Sequence, residues 1–393
     1  MSISHKASNL ALHNRVCSVP EGGILFPFDS GLHGVDSAGN IIQPLGGAVA
    51  TLRPGEGKFG GAVAVEEGTM NLLGYPLEQE YYGGNLRGLT NGAWETDGDK
   101  IICHSRPNSA YPGWKINVSS GETVTFSGRV PEIFYGAFYL YERGFDANNQ
   151  TVFSQRYRNL RTARFDEDGH FEYTVTYSEP SLSYVNVGIG WNVDVGSSYW
   201  MEKIQAEKKP FATSFVDGTR ANGTLLYYDE PNSGDDYTIA LWAKTHTNDP
   251  STWQVLFDGR NARSQSMLAF STSGVLTIYY RDSSGASKHR STGFSMADRT
   301  GWHHYVLTFT GPRSSGTFRV FVDGQLVYTY EDSLQLPGTS GMYIGRGIPA
   351  NELWNGLIDE LLILPYAVTD EEIKAWYHSN SRIHNNADAY VTL

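Results

Sequence analysis

Two segments in the middle of the chain carry tyrosine and asparagine residues at strand spacing, and these residue types suit sugar binding. In residues 134–141 the apolar positions alternate with three outward tyrosines: Tyr135, Tyr139 and Tyr141. In residues 183–193 the same alternation leaves three polar positions outward: Tyr184, Asn186 and Asn192. Aromatic faces stack on pyranose rings, and amides fix the hydroxyls. Because tyrosine is also enriched where subunits meet, this face is either a glycan-binding surface or a subunit interface.

Hydrolysis of a glycosidic bond requires two carboxylates on one face, one to attack and one to protonate the leaving oxygen. Two acidic runs are candidates. Residues 166–169, Asp-Glu-Asp-Gly, are typical of a turn between strands, and residues 370–372 follow Thr369 as the capping box of a helix. Neither run has glycosidase spacing, and the chain has no nucleophile elbow, P-loop or HExxH helix. The sequence therefore predicts that the protein is not an enzyme.

The charge and the apolar patterning exclude several classes of partner. The formal net charge is -12 and the basic residues form no cluster, which argues against nucleic acid. The two cysteines, Cys17 and Cys103, are too few and too far apart for a disulfide framework or a zinc site. The first fifteen residues lack the apolar core of a signal peptide, and no apolar run is long enough to cross a bilayer. We expect no signal peptide and no membrane insertion.

Strand patterns dominate the C-terminal part of the chain. Tyr305, Leu307 and Phe309 share one face of a strand, and a Gly-Pro turn follows. The returning strand ends at Asp323-Gly324, a dipeptide that favours a type I′ hairpin, and a third strand completes a meander. Downstream come an Ile-Gly strand, a Gly-x-Ile-Asp-Glu strand at residues 356–360, and a short helix after Thr369. This succession of motifs resembles the laminin-G-like, or concanavalin A-like, jelly roll.

The opening strands of the same fold lie far from the others along the chain. Residues 24–29, 36–40 and 57–65 resemble its Phe-Asp strand, its Asp-Ser-x-Gly-Asn turn and its Gly-x-Phe-Gly-x-Ala-Val strand. The strand that should follow almost at once is found only at residues 236–244. We therefore interpret the segment between them as a second domain inserted in a surface loop, which is tolerated where the termini of a domain lie close together.

The inserted segment has its own signature. It opens with Asn71-Leu72-Leu73, contains the strand GETVTF at residues 121–126, and closes with aromatic and charged residues from Tyr199 onward. These motifs resemble the jelly-roll carbohydrate-binding modules of bacteriophage virion and tail proteins. The predicted fold class is all-β, with two jelly-roll β-sandwiches, the second inserted into the first, and one short C-terminal helix. The predicted boundaries are an N-terminal arm at 1–22, the outer jelly roll at 23–70 and 213–393, and the insertion at 71–212.

The resemblance to the laminin-G-like fold also implies a structural calcium site. The strands that carry Asp29 and Asp359 are commonly neighbours in that fold, and carboxylate oxygens suit calcium. The alternative is that Asp359 accepts hydrogen bonds from buried donors. In the insertion, resemblance alone implies a second calcium position at Glu202, with backbone oxygens near Asn71. No cofactor is required for the predicted function.

Together the resemblances predict a non-enzymatic structural protein of a bacteriophage virion. It would be a tail or capsid-surface fibre or spike subunit that displays glycan-binding jelly rolls for adhesion to the host surface. The arm at residues 1–22 would attach it to other virion subunits, and it would form a homo-oligomer. It would be made in the host cytoplasm and reside on the particle. Two alternatives stay open: a carbohydrate-active depolymerase or hydrolase, and a purely architectural capsid or tail decoration protein.

Overall fold

Strands make up most of the regular structure in the computed structural model, which describes residues 19–29, 31–45, 48–108, 110–131, 138–160, 164–165, 169–191, 194–227, 235–248 and 252–379. The described residues divide into two compact units. Unit 1 comprises those up to Glu67 and those from Asn222 onward, and unit 2 comprises Gly68–Ala221. Unit 2 therefore begins three residues before the predicted start of the insertion, Asn71, and ends nine residues after its predicted end, Ala212.

The strands of unit 1 lie on both sides of unit 2 along the chain. Before it come β1 (Ile24–Phe26), β2 (Gly34–Asp36), β3 (Ile41–Ile42), β4 (Thr51–Arg53) and β5 (Ala62–Val65). After it come β20 (Leu226–Tyr227), β21 (Tyr237–Thr245), β22 (Gln254–Asp258), β23 (Ser266–Phe270), β24 (Val275–Arg281), β25 (Ser287–Ser295), β26 (His303–Thr310), β27 (Gly316–Val322), β28 (Gln325–Asp332), β29 (Met342–Ile344), β30 (Gly356–Leu364) and helix α1 (Asp370–His378).

The strands of unit 2 are numbered between those two groups. They are β6 (Thr69–Met70), β7 (Gln79–Tyr82), β8 (Asn85–Gly88), β9 (Trp94–Asp97), β10 (Lys100–Cys103), β11 (Ala110–Asn117), β12 (Thr123–Arg129), β13 (Phe138–Phe145), β14 (Thr151–Asn159), β15 (Arg164–Phe165), β16 (His170–Thr176), β17 (Tyr184–Trp191), β18 (Tyr199–Glu207) and β19 (Thr219–Arg220).

Strand β30 joins the two parts of unit 1. One edge pairs with β21 along most of its length. The other edge pairs with two strands that precede the insertion, β5 opposite Gly356, Leu357 and Ile358, and β1 opposite the residues from Leu361 to Ile363. Strands from before and after unit 2 are therefore hydrogen-bonded in one sheet. The predicted insertion of one jelly roll into the other is confirmed.

Two sheets form the sandwich of unit 1. One has the order β28-β27-β26-β21-β30-β1-β2-β3, with β5 also paired to β30 and β4 paired to β5, and the other has the order β20-β29-β22-β23-β24-β25. Tyr305, Leu307 and Phe309, predicted to share one face, are buried in the core between these sheets. The predicted hairpin is also present, because Asp323 and Gly324 both have positive φ, 51° and 74°, as a type I′ turn requires.

Helix α1 packs on the outer face of the larger sheet, where its residues Ile373 and Trp376 contact Val306 and Phe321. Thr369 begins the helix with the predicted capping box, since its side chain accepts from the Glu372 amide while the Glu372 carboxylate accepts from the Thr369 amide. The first-turn carboxylate of Asp370 forms a bidentate ion pair with Arg319 on β27. The acidic run at residues 370–372 thus has a structural use.

Unit 2 is also a two-layer sandwich. Its six-stranded sheets have the orders β15-β16-β12-β18-β10-β9 and β14-β13-β17-β11-β7-β8, and the short β6–β19 pair lies near its two ends in the sequence. The residues predicted to face inward from β17 are all fully buried in the core: Val185, Val187, Ile189 and Trp191. The prediction that alternate residues of β17 face the core is therefore confirmed.

The N-terminal arm was predicted to span Met1–Gly22, and its first eighteen residues lie outside the described part of the chain. Val19 packs against the cluster beneath α1, and the Gly22 amide donates to Ser37 Oγ. The described end of the arm thus lies in unit 1. None of the helices among the described residues has both the length and the apolar character needed to cross a bilayer.

One buried histidine makes the stability of unit 1 depend on pH. His304 on β26 is fully buried against the Trp242 ring, with the ring centroids 5.1 Å apart, and neither ring nitrogen has a hydrogen-bond partner in the part of the chain described. Desolvation lowers the pKa of His304 from 6.5 to about 4, and the nearby Asp323 opposes this only in part.

The unfolded chain therefore takes up a proton at His304 near pH 6.5, whereas the folded chain does so only near pH 4. The contribution of neutral His304 to the free energy of unfolding is therefore fully present above pH 6.5. It is lost as the pH falls to about 4. We expect His304→Phe to remove on the order of 3 kcal/mol of the wild-type pH dependence of the free energy of unfolding over this range. Urea titrations at several pH values measure it, with the exposed His289→Phe as control. Parallel pH profiles for the wild type and His304→Phe would contradict the assignment.

Candidate functional site

The outward face of the β14-β13-β17-β11-β7-β8 sheet gathers tyrosines from several strands into adjacent rows. Residues directly opposite each other on neighbouring strands point to the same face. One row runs across β13, β17, β11 and β7, and its members are Tyr139, Gly190, Tyr111 and Tyr81. The next row runs across β14, β13, β17 and β11, and its members are Tyr157, Tyr141, Gly188 and Gly113. We call Tyr81, Tyr111, Tyr139, Tyr141 and Tyr157 the tyrosine cluster.

Two glycines of β17 make room for this cluster. A Cβ on Gly188 would lie 2.6 Å from Tyr81 Cβ, and one on Gly190 would lie 2.8 Å from Tyr111 Cδ1. Both distances are shorter than real Cβ contacts, so the rings lie over bare backbone at the centre of the sheet. The glycines therefore allow the tyrosines to form a continuous aromatic layer in place of isolated side chains.

Stacking and hydroxyl bonds hold the middle of the cluster rigid. The rings of Tyr111 and Tyr141 are stacked with centroids 4.0 Å apart, and their hydroxyl oxygens are 2.9 Å apart. Arg106 Nη1 donates to the Tyr111 hydroxyl at 3.0 Å. Burial and the bond to Tyr111 raise the pKa of Tyr141 well above its usual value, so its hydroxyl stays protonated at neutral pH. The cluster is thus a preformed aromatic surface backed by one guanidinium.

The cluster borders a cavity of about 570 Å³. Its rim carries exposed rings, since Tyr157 is 62% exposed and Tyr82 is 43% exposed. Gln155 adds an amide beside these rings. Aromatic faces at the rim with a few polar groups within are what a sugar-binding site requires. The lining residues are Tyr82, Gly83, Tyr111, Tyr139, Tyr141, Gln155 and Tyr157.

The residues predicted for glycan contact do not all fall at this cavity. Tyr139 and Tyr141 line it, although Tyr141 is only 4% exposed because neighbouring tyrosines cover it. Asn186 lies on the same face but is buried, donating to the Gly84 carbonyl at 3.3 Å. Tyr184 lies one further row along, stacked on Phe145. Tyr135 and Asn192 lie outside the described residues.

Sequence reasoning missed the remaining members of the cavity. Tyr111 belongs to a strand that carries Pro112 and Gly113, residues that weaken any strand prediction. Tyr157 and Gln155 belong to β14, whose polar residues hide its alternation. The available signal was the spacing of Gly188 and Gly190, two glycines on the same face of an otherwise apolar strand, which marks a close approach by other groups.

Two of the residues predicted to bind calcium, Asp29 and Asp359, accept hydrogen bonds from the backbone of one loop. The Gly61 amide donates to Asp29 Oδ1 and the Phe59 amide to Asp359 Oδ2, both at 3.1 Å. The alternative reading, in which Asp359 satisfies buried donors, accounts for this geometry. In unit 2 the Glu202 carboxylate accepts from Arg129 at 3.1 Å, and Asn71 bonds to the backbone of β18. No cluster of three or more metal-ligating side chains occurs among the described residues.

Substitution of Gly188, which lies beneath the tyrosine cluster, tests this packing. We expect Gly188→Ala to lower the free energy of unfolding by about 1–3 kcal/mol, because its Cβ overlaps Tyr81 and the ring must move. The matched control is Gly88→Ala on β8 of the same sheet, where an added Cβ meets nothing within 4 Å. Urea unfolding and near-ultraviolet circular dichroism report stability and ring packing. Equal stability of the two variants would refute the close contact.

Comparisons with known proteins support the fold of the C-terminal part. Residues 217–374 match the model of the concanavalin A-like lectin/glucanases superfamily, which confirms the predicted resemblance over that segment. No curated protein matches the sequence.

Several solved structures are similar to part of the chain. One is a SAP-like pentraxin from Limulus polyphemus, with 15% identity and a TM-score of 0.29 over 36% of this chain and 69% of that one. Another is the CBM40 of the Ruminococcus gnavus IT-sialidase bound to α2,3-sialyllactose, with 16% identity and a TM-score of 0.29 over 36% of this chain and 83% of that one. A third is the botulinum neurotoxin serotype D binding domain, with 12% identity and a TM-score of 0.31 over 40% of each chain. Each similarity covers less than half of this chain.

Proposed function

We propose that the protein is a non-enzymatic glycan-binding protein whose inserted jelly roll contacts sugar through the tyrosine-lined cavity. The observation that carries this proposal is the cavity itself, where the exposed rings of Tyr82 and Tyr157 flank buried tyrosine hydroxyls and the Gln155 amide. Exposed aromatic rings on a rigid sheet offer flat surfaces for pyranose rings. The match of residues 217–374 to a superfamily of lectins and glucanases is consistent with a carbohydrate partner.

The composition of the cavity favours binding over hydrolysis. None of the described residues that line it is a carboxylate, whereas glycoside hydrolysis needs two of them on either side of the bond. The acidic run at residues 370–372 caps helix α1, and Asp370 is paired with Arg319. The run at 166–168 lies outside the described residues. We therefore prefer a binding protein to the alternative of a depolymerase.

The setting that we propose is the surface of a bacteriophage particle, as a tail or capsid fibre or spike subunit. The support is the sequence resemblance of the insertion to modules of virion and tail proteins. A stacked ring contributes only on the order of 1 kcal/mol, so a single cavity would bind weakly. Repetition of the site in a homo-oligomer on a particle would raise the effective concentration of sites and give useful adhesion. The N-terminal arm would attach the subunit to the particle.

Removal of one exposed ring tests the proposed contact. We expect Tyr157→Ala to weaken binding of the glycan that the wild type selects from an array by about fivefold, because one stacking surface is lost. Folding should be unaffected, since a ring that is 62% exposed fills no core. Isothermal titration of the whole chain measures the affinity, and the matched control is Tyr366→Ala, an exposed tyrosine of unit 1 that is 38% accessible.

The same variant separates glycan contact from a subunit interface. If the tyrosine cluster joins subunits, Tyr157→Ala will shift the oligomeric state measured by light scattering and leave glycan affinity per chain unchanged. That result, or an array on which the wild type binds no glycan, would contradict the proposal.

The absence of hydrolysis can be tested with the same glycan. Because the cavity lacks a carboxylate pair among its described lining residues, we expect no increase in reducing ends during prolonged incubation with the wild type. Release of oligosaccharide that disappears on substitution of a single aspartate or glutamate would establish an enzyme instead.

A further inference from the structure

Three cations lie on or beside the outward face that carries the tyrosine cluster, although the chain has a net charge of -12. Arg143 on β13 and Lys115 on β11 both lie opposite Asn186 of β17, so that they share this face. Arg106 stands behind Tyr111. Within the described ranges none of these three cations forms a salt bridge, whereas Arg156 and Arg158 of the neighbouring strand are paired with Glu179 and Glu142. Unneutralised cations on one face attract an anionic ligand.

Arg106 is the most constrained of the three. It is only 5% exposed, its Nη1 donates to the Tyr111 hydroxyl, and its Nε has no partner among the described residues. A buried charge is costly unless an opposite charge or several hydrogen bonds compensate for it. The protein supplies it with the neutral hydroxyl of Tyr111 and the Tyr111 ring face, whose centroid is 5.5 Å from the guanidinium carbon. An anion bound in the adjoining cavity would complete the compensation.

The hydroxyls of Tyr111 and Tyr141 carry two protons, but the bond between them uses only one. The Arg106 guanidinium can only donate, so Tyr111 must accept from it. A single bond joins Tyr111 and Tyr141, and it uses the proton of one hydroxyl and a lone pair of the other. Whichever tyrosine donates, the proton of the other has no acceptor among the described residues. Because both side chains line the cavity, that proton is available to an acceptor there.

Arg143 is a second cation close to the cavity, one row of residues beyond Tyr141 on β13. Its Nη2 donates to Thr151 Oγ1 at 3.0 Å and its Nη1 makes a long contact of 3.5 Å with Asn85 Oδ1, so both partners are neutral. Its side chain passes beside Gly84, where an added Cβ would lie 2.6 Å from Arg143 Cδ, and Gly83 in the same turn lines the cavity. The aliphatic part of the side chain therefore passes beside the turn that borders the cavity, and its guanidinium carbon, 5.2 Å from the Phe145 ring centroid, has no internal counter-ion.

We propose that the tyrosine-lined cavity selects acidic sugars, with the sugar carboxylate accepting the free hydroxyl proton of the Tyr111–Tyr141 pair and lying in the field of Arg106 and Arg143. This proposal rests on the proposed glycan-binding function and specifies its ligand class. A neutral sugar would satisfy the hydroxyl proton but would leave both guanidiniums without a counter-ion. Charge-assisted hydrogen bonds are roughly twice as strong as neutral ones, which gives the acidic sugar its advantage.

Matched pairs of monosaccharides test the selectivity on the whole chain. The probes are sodium glucuronate against glucose and sodium galacturonate against galactose, at equal ionic strength, with saturation-transfer NMR titrations as the measurement. We expect at least one uronate to bind about tenfold more tightly than its neutral partner, as for hydrogen bonds to charged groups. Added salt should reduce this ratio, because it screens the guanidinium charges.

Two variants locate the selectivity. Arg143→Gln and Tyr141→Phe should each lower uronate affinity several-fold while changing the affinity for the neutral sugar much less. The matched controls are Arg129→Gln, on the other sheet of unit 2 and paired with Glu202, and Tyr184→Phe, on the same face but stacked away from the cavity. Circular dichroism confirms that each variant is folded. If Tyr141→Phe does not fold, the uronate affinity of Arg143→Gln alone tests the proposal, since the Arg143 side chain is not part of the core.

The outcomes distinguish the proposal of acidic-sugar selectivity from the proposal of glycan binding on which it rests. Equal binding of acidic and neutral sugars, with Tyr157→Ala still weakening both, would overturn acidic selectivity and leave glycan binding intact. Selectivity that persists unchanged in Arg143→Gln and Tyr141→Phe would place it elsewhere and also overturn the proposal. Binding of none of the four sugars would count against both acidic selectivity and glycan binding at this cavity.

Discussion

The structure of the outer jelly roll depends on strand β30, whose nine residues are all buried. A strand buried on both faces must also have both edges paired, because its amide and carbonyl groups cannot reach water. Strand β21 covers one edge, and the other requires β1 and β5, which lie before the insertion. Unit 1 can therefore close only when the chain returns from unit 2. At Asp359 and Glu360, where pairing passes from β5 to β1, Glu360 has positive φ and the Asp359 carboxylate bonds to a neighbouring loop.

A comparable constraint shapes the inserted jelly roll. The inward residues of β17 are large and fill the core, while its outward residues at the centre are glycines over which Tyr81 and Tyr111 lie. One strand thus supplies a tightly packed inner face and an open outer one. The tyrosine rings that occupy the outer face are held by stacking and by hydroxyl bonds to one another, which leaves rings exposed only at the rim of the cavity. Rigidity of this kind reduces the entropy lost when a ligand binds.

The sequence by itself determined the fold class, the insertion and several local structures. The order of motifs identified the jelly rolls, and the distance between the opening strands and residues 236–244 required an inserted domain. The Asp323-Gly324 turn and the Thr369 capping box were predictable because each depends on residues close together in the chain. The inward set of β17 followed from alternation alone. Each of these inferences uses the period of one element or the chemistry of one turn.

Only the tertiary structure decided which tyrosines meet and how they are exposed. Alternation gives the face of a residue within its own strand, but the neighbours of that strand and their register come from the whole sheet. Tyr139 and Tyr141 were therefore identified, while Tyr81 and Tyr111, which lie on strands distant in sequence, were not. Tyr157, on the strand that follows β13, was missed because the polar residues of β14 hide its alternation. The burial of Asn186 under the Gly83-Gly84 turn and of Arg106 behind Tyr111 was likewise invisible in the sequence. A binding surface built across strands exists only once their register is fixed, because no single segment contains it.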